Sequence, residues 1–443
     1  MKKLIKILII FFILTLTSCN VATGDITNLM SPPKLTVEQQ AIIATLNSNA
    51  VGGKNPTLKY PLGGDYRSSF ILHNLDGSSE EEALAFYRPE NEKAGTHVMI
   101  LKKISGKWKK TADISGDGSE VDRIDFGDFD GNGSDEIAIG WTLFTGTDLG
   151  LGVYSSNGSK FNKINTGFTT MKTVDMDGDG KKDILLIKLD TAAKNATASL
   201  ISYKDGRLSE IAHAPLDSTV STYAGIYATK ADNRNVVLID GYKGAHLMVT
   251  ELVDFKNGLL LTPFDDVNKK IVTATQRDVN IACSDIDNDG IIEVPSAVEL
   301  PGYANINETE YDKKLWLVSW NTVANDTLIH KFSCVINNAA GYYFTYPDKW
   351  EQKVTVDRTL GDNDWSFRVW DSSLKKMGNV IFNIYGYSKS EWDKIQIKTP
   401  KNLFELDENN GMVYVVQFTD KQVNTEPYNL DISEIRKCFK LLK

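Results

Sequence analysis

Asp175-Met-Asp-Gly-Asp-Gly-Lys-Lys-Asp183 places carboxylates at positions 1, 3, 5 and 9 of a nine-residue run, with Gly178 and Gly180 between them. The glycines let the backbone curl, so four side chains can converge on one centre. The same frame recurs at Asp128-Phe-Asp-Gly-Asn-Gly-Ser-Asp-Glu136 and Asp285-Ile-Asp-Asn-Asp-Gly-Ile-Ile-Glu293, and more weakly at Asn74-Leu-Asp-Gly-Ser-Ser-Glu-Glu-Glu82. Hard oxygen ligands at this spacing suit Ca²⁺. An EF-hand would need Glu at position 12, where this chain has Ala85, Ile139, Leu186 and Ser296.

Short apolar runs follow the loops, as in Ala83-Leu-Ala-Phe-Tyr87, Ile137-Ala-Ile139 and Ile184-Leu-Leu-Ile187, and they read as buried strands. A further copy at Asn235-Val-Val-Leu-Ile-Asp-Gly241 keeps the strand and has lost the acids. The first strand residues 83, 137, 184, 236 and 294 are 54, 47, 52 and 58 residues apart, the period of one four-stranded propeller blade. Asn157-Gly158 and Asp205-Gly206 supply hairpin turns between the copies.

These loops, with the lead-in Gly118-Ser-Glu-Val-Asp-Arg-Ile-Asp-Phe-Gly-Asp128, resemble the FG-GAP or VCBS repeats, whose calcium loops run Asp-x-Asp-x-Asp-Gly-x-x-Asp/Glu and whose blades build integrin α-chain heads. The likeness covers roughly residues 60 to 335 and implies a mainly β fold, a β-propeller with structural Ca²⁺. The implied ligands are Asp175, Asp177, Asp179 and Asp183; Asp285, Asp287, Asp289 and Glu293; Asp128, Asp130, Asn132 and Glu136; and Asn74, Asp76, Ser78 and Glu82. Carboxylate count predicts loops 175 and 285 to bind more tightly than loop 128, and loop 128 more tightly than loop 74.

At the N-terminus, Lys2, Lys3 and Lys6 precede the apolar run Ile7 to Leu14, and Leu16-Thr-Ser-Cys19 follows. This is similar to a bacterial lipoprotein signal peptide (residues 1–18) with Cys19 as the lipidated, palmitate-bearing residue. The expectation is an extracytoplasmic, cell-surface lipoprotein held to the bacterial membrane by lipid. Residues 19–35, with Ser31-Pro-Pro33, read as a tether, and 36–62 as a capped helix and lead-in to a propeller over 63–335.

Beyond residue 336 the acidic loops cease. Strand patterns at Ser366–Trp370, Asn379–Tyr385 and Met412–Phe418, a helix near Lys389–Ile397 and a terminal helix running from Asp431 through Phe439 and Leu442 predict a small α+β domain over 336–443. Its Tyr346-Pro-Asp-Lys-Trp350 turn resembles the αβα sandwich of the PsbP-like class.

The formal charge of −9, or −12 without residues 1–18 and their three lysines, and the lack of a basic stripe speak against nucleic acid. Cys283, Cys334 and Cys438 form no disulfide framework or zinc motif and are expected as free thiols. Neither a nucleophile elbow nor a P-loop is present, and His73, His97, His213, His246 and His330 are scattered. Asp122, Asp125 and Glu251 are the acids outside the loops to examine for catalysis. The residues favour a binding module for protein, peptide or glycan; the alternatives are a polysaccharide-active envelope enzyme and a structural envelope component.

Overall fold

The computed structural model describes residues 35–144, 149–265, 272–304, 306, 308–358, 361, 363–398, 401–419 and 425–442. The expected signal segment and Cys19 lie outside them. The capping box predicted at Thr36 is formed: Thr36 accepts from Gln39 N, Gln39 answers to Thr36 N, and helix α1 runs Val37–Asn49. Ile42 and Leu46 seat this helix on Ala83, Ala85, Tyr87, Met99 and Leu101 of the first sheet.

Successive antiparallel meanders follow, because each apolar run is closed by a turn that reverses the chain before the next. The first sheet contains β1 (Thr57–Leu58), β2 (Phe70–His73), β3 (Glu82–Arg88), β4 (His97–Ile104) and β5 (Lys107–Ser115), with β1 and β2 both on β3. The second is β6 (Glu120–Gly127), β7 (Glu136–Thr142), β8 (Leu149–Tyr154) and β9 (Lys160–Phe168). The third is β10 (Thr170–Val174), β11 (Asp183–Asp190), β12 (Asn195–Lys204) and β13 (Arg207–Pro215). The fourth is β14 (Thr222–Ala231), β15 (Arg234–Tyr242), β16 (Met248–Lys256) and β17 (Leu259–Leu261). Consecutive strands paired in chain order, sheet after sheet, are the blade topology of a β-propeller. The second strands β3, β7, β11 and β15 are buried almost end to end, since both faces pack against neighbouring sheets.

In the fifth sheet Glu293 bridges Ser284, and β18 (Val294–Glu299), β19 (Trp316–Ala324), β20 (Thr327–Asn337) and β21 (Tyr342–Thr345) follow. The expected domain boundary at 336 therefore falls inside a strand, and Tyr342–Thr345 belongs to this sheet. The last sheet orders β22 (Val354–Asp357), β23 (Trp365–Asp371), β24 (Lys376–Ser388), β26 (Met412–Phe418) and β25 (Leu403–Asn409). Helix α2 (Lys389–Gln396) covers one face of it through Trp392 against Val413 and Val415. The opposite face shares one core with the fifth sheet, centred on Phe344, Trp350, Phe367 and Phe382.

The terminal helix α3 is shorter than expected. It spans Ile432–Cys438, after which Phe439–Leu441 turns extended as β27 and pairs with Tyr342–Phe344. The free edge of β21 offers backbone partners that outweigh a further helical turn, and the Phe439 ring packs 4.9 Å from Tyr342 and 5.4 Å from Tyr414.

Candidate metal centres

All four acidic runs adopt one loop, and the sequence dictates why. The position-9 carboxylate is buried and accepts from the position-2 backbone N–H: Glu82 from Leu75 at 2.9 Å, Glu136 from Phe129 at 3.0 Å, Asp183 from Met176 at 2.9 Å and Glu293 from Ile286 at 3.1 Å. In the three stronger loops the position-1 Asp caps the glycine turn. Asp175 accepts from Gly178 and Gly180, Asp128 from Gly131 and Gly133, and Asp285 from Asp289 and Gly290. Asp177 and Asp130 in turn accept from the residue at position 5.

The position-8 N–H donates to the preceding sheet. Asp135 N reaches Leu75 O at 2.8 Å, Lys182 N reaches Asp128 O at 3.0 Å, and Ile292 N reaches Thr229 Oγ1 at 2.9 Å. The fourth sheet has a tight turn at Asp232-Asn233, both at positive φ, where the others have the loop. Thr229 supplies the missing acceptor.

Three groups of carboxylates could hold a metal ion: Asp128, Asp130 and Glu136; Asp175, Asp177 and Asp183; and Asp285, Asp287 and Asp289. Burial pushes Glu136 up to about 7, with Asp130 and Asp128 adding to the effect, and pushes Asp183 up to about 6. A buried carboxylate aimed at like charges is what an incoming cation relieves. Oxygen-only donors on a glycine-rich loop fit a hard cation. Loop 74 forms no such group: Asn74 Nδ2 donates to Ser78 O, and Asp76 accepts from Ser78 N. Asp179 and Asn132 accept backbone N–H groups from Lys181 and Ser134.

Beneath each loop the two strands that follow the strand after the loop, here its third and fourth strands (β4 and β5, β8 and β9, β12 and β13, β19 and β20), carry a β-bulge at the same register. It falls between Ile100/Leu101, Val153/Tyr154, Leu200/Ile201 and Trp320/Asn321, leaving Thr111, Phe161, Ile211 and Lys331 unpaired. The pair formed by the third and fourth strands of the loop-less fourth sheet has no bulge. Lys331 Nζ thereby lies 2.7 Å from Asp287, 2.6 Å from Asp289 and 3.0 Å from Glu293. In the first sheet Lys102 bonds Asp76 and lies 3.0 Å from Glu82, an ion-pair contact rather than an aligned hydrogen bond. Both lysines are spaced far from their loops in sequence, and the sequence pattern held no signal for them beyond a Lys at a strand position.

The acids outside the loops are structural in setting. Asp122 pairs with Arg123 at 2.6 Å, and Asp125 accepts from Phe126 N and Thr173 N. Glu251 is wholly buried and accepts from Asp217 N. The histidines are dispersed: His73 stacks on Phe126, His97 bonds Asp113, and His246 stacks on Tyr311. Cys283, Cys334 and Cys438 are free thiols, and Trp141 and Trp320 are core residues.

No family model matches the chain, and no curated protein matches it. Solved structures that match the chain include the rhamnogalacturonan lyase YesW, 14% identical over 73% of this chain and 69% of that one, with a TM-score of 0.30. The Dos1 propeller is 13% identical over 80% and 67%, with a TM-score of 0.29. The periplasmic gluconolactonase of Pseudomonas aeruginosa is 9% identical over 75% and 89%, with a TM-score of 0.33. Likeness at this level carries neither an activity nor an architecture over to this chain.

Proposed function

We propose that this chain is a membrane-anchored extracytoplasmic lipoprotein whose FG-GAP/VCBS-like propeller is stabilised by Ca²⁺ and serves as a binding module for protein, peptide or glycan. The observation that carries the reading is the repeated loop. One nine-residue carboxylate frame stands at the same corner of successive sheets and is hydrogen-bonded to the sheet before it. A cation there neutralises acids whose charged form burial disfavours, and it stiffens the seam between blades.

A ligand would meet the inner-strand face. A cavity of about 670 Å³ with a mixed polar and apolar lining opens there, bordered among others by Asp65, Arg123, Thr170, Lys172, Tyr223 and Tyr227. Tyrosine faces and paired charges suit a hydroxyl-rich or peptide ligand. The C-terminal sheet carries α2 on one face and the core shared with the fifth sheet on the other, and the PsbP-like comparison stays part of the same proposal on its sequence turn alone.

The test applies the full chain to glycan and cell-wall polysaccharide arrays, with product analysis of every retained ligand. Retention without product supports the binding module. Released oligosaccharide would replace it with the polysaccharide-active enzyme.

A further inference from the structure

Resting on the calcium reading above, we infer that two of the four loops carry a built-in cation, so that divalent ions enter only loops 128 and 175. The ammonium groups of Lys102 and Lys331 fill the ion position of loops 74 and 285.

Strand register decides which loops receive a lysine. Two strand positions face the interior of each loop: the residue opposite the position-9 acid on the third strand, and the bulged residue on the fourth. From the pairings Ala83 with Leu101, Ile137 with Tyr154, Ile184 with Ile201 and Val294 with Asn321, the first position is Lys102, Ser155, Ser202 and Thr322. The second is Thr111, Phe161, Ile211 and Lys331. The first sheet therefore draws a lysine from one position and the fifth from the other. The second and third sheets have a lysine at neither.

The carboxylates respond accordingly. Position 9 keeps one oxygen on the position-2 N–H in every loop. In loops 74 and 285 its other oxygen lies 3.0 Å from the lysine. In loops 128 and 175 it instead joins the acids of positions 1 and 3 in one cluster. In both of these loops an ammonium group pairs with the position-3 and position-9 acids without any metal. Around loop 175 the nearest base is Lys181, 3.4 Å from Asp179; among the described residues no Lys or Arg side chain forms an ion pair with Asp128, Asp130 or Glu136. Ile211 borders the same hollow as Asp177 and Asp179, so it stands where Lys331 stands in the fifth sheet. A divalent ion added to loop 285 would sit within a few ångströms of the Lys331 ammonium, and like charges at that range repel strongly.

The inference reverses the order expected from carboxylate count, which put loop 285 among the tightest. Calcium titration of the full chain by calorimetry, with stoichiometry checked by native mass spectrometry, decides it. Two sites are expected in the wild type, three in Lys331→Ile and one in Ile211→Lys. The two variants move the count in opposite directions, so misfolding of one does not imitate the result; circular dichroism identifies a variant that fails to fold. Three or four sites in the wild type would overturn the lysine assignment and leave the calcium reading standing. A folded Lys331→Ile that still binds two would also overturn it. No site at all would overturn the calcium reading itself.

Discussion

Arg277 Nη2 lies 2.9 Å from Asp240 Oδ1, and both side chains are wholly shielded from water. The guanidinium also donates to Thr250 Oγ1 at 2.9 Å, Thr275 O at 3.2 Å and Ile281 O at 2.7 Å, while Asp240 Oδ2 accepts from Cys283 N at 2.7 Å. This network clamps the irregular stretch before loop 285 onto the fourth sheet, where no acidic loop exists to do so. Arg277→Met leaves the Asp240 charge buried and is expected to cost about 3–5 kcal/mol in urea unfolding. Adding Asp240→Leu should recover much of that loss, because the uncompensated charge is then gone.

Glu251 gives the protein a pH dependence. Burial pushes its carboxyl up to about 8, with Asp265 and Asp217 adding to it. An acid raised on folding binds more protons in the native than in the unfolded state between its ordinary range and about 8. Stability therefore falls as pH rises through that window, with a limiting slope of about 1.4 kcal/mol per pH unit. Glu251→Gln removes the term. Its melting temperature relative to wild type should climb from pH 5 to pH 8, and parallel curves would refute this.

Chelation should lower the melting temperature, since a ligand that binds only the folded state stabilises it by about 2.7 kcal/mol at a hundredfold excess over its dissociation constant. Asp177→Asn keeps the acceptor that Asp179 N uses while removing a charge from the Asp175, Asp177 and Asp183 cluster. The variant should match the wild type in chelator and fall below it in calcium by one site's share. Differential scanning calorimetry in both buffers separates these cases.

The carboxy-terminal strand holds the fifth sheet and the last sheet together. Phe439 is buried against Tyr342 and Tyr414 in the shared core. Phe439→Ala should cost about 3–5 kcal/mol. Removal of residues 439–443 should expose the β21 edge and promote association, seen by light scattering.

The sequence by itself determined what is local. Within nine residues, acids and glycines specify the loop, because its hydrogen bonds close between positions 1, 2, 4, 6 and 9 of the same run. Apolar runs bounded by turns specify the strands after it, and Thr36, Ser388 and Asp431 each form the capping box their neighbours allow. Only the tertiary structure decided what the strands bring together. Lys102 and Lys331 reach their loops across strand pairings, and a one-residue bulge sets whether lysine or isoleucine faces the acids. Phe439–Leu441 becomes a strand because an edge formed almost a hundred residues earlier is there to receive it. Spacing along the chain records backbone geometry over a few residues, whereas the charge balance of a site depends on register, and register is set by how whole sheets bury their apolar faces.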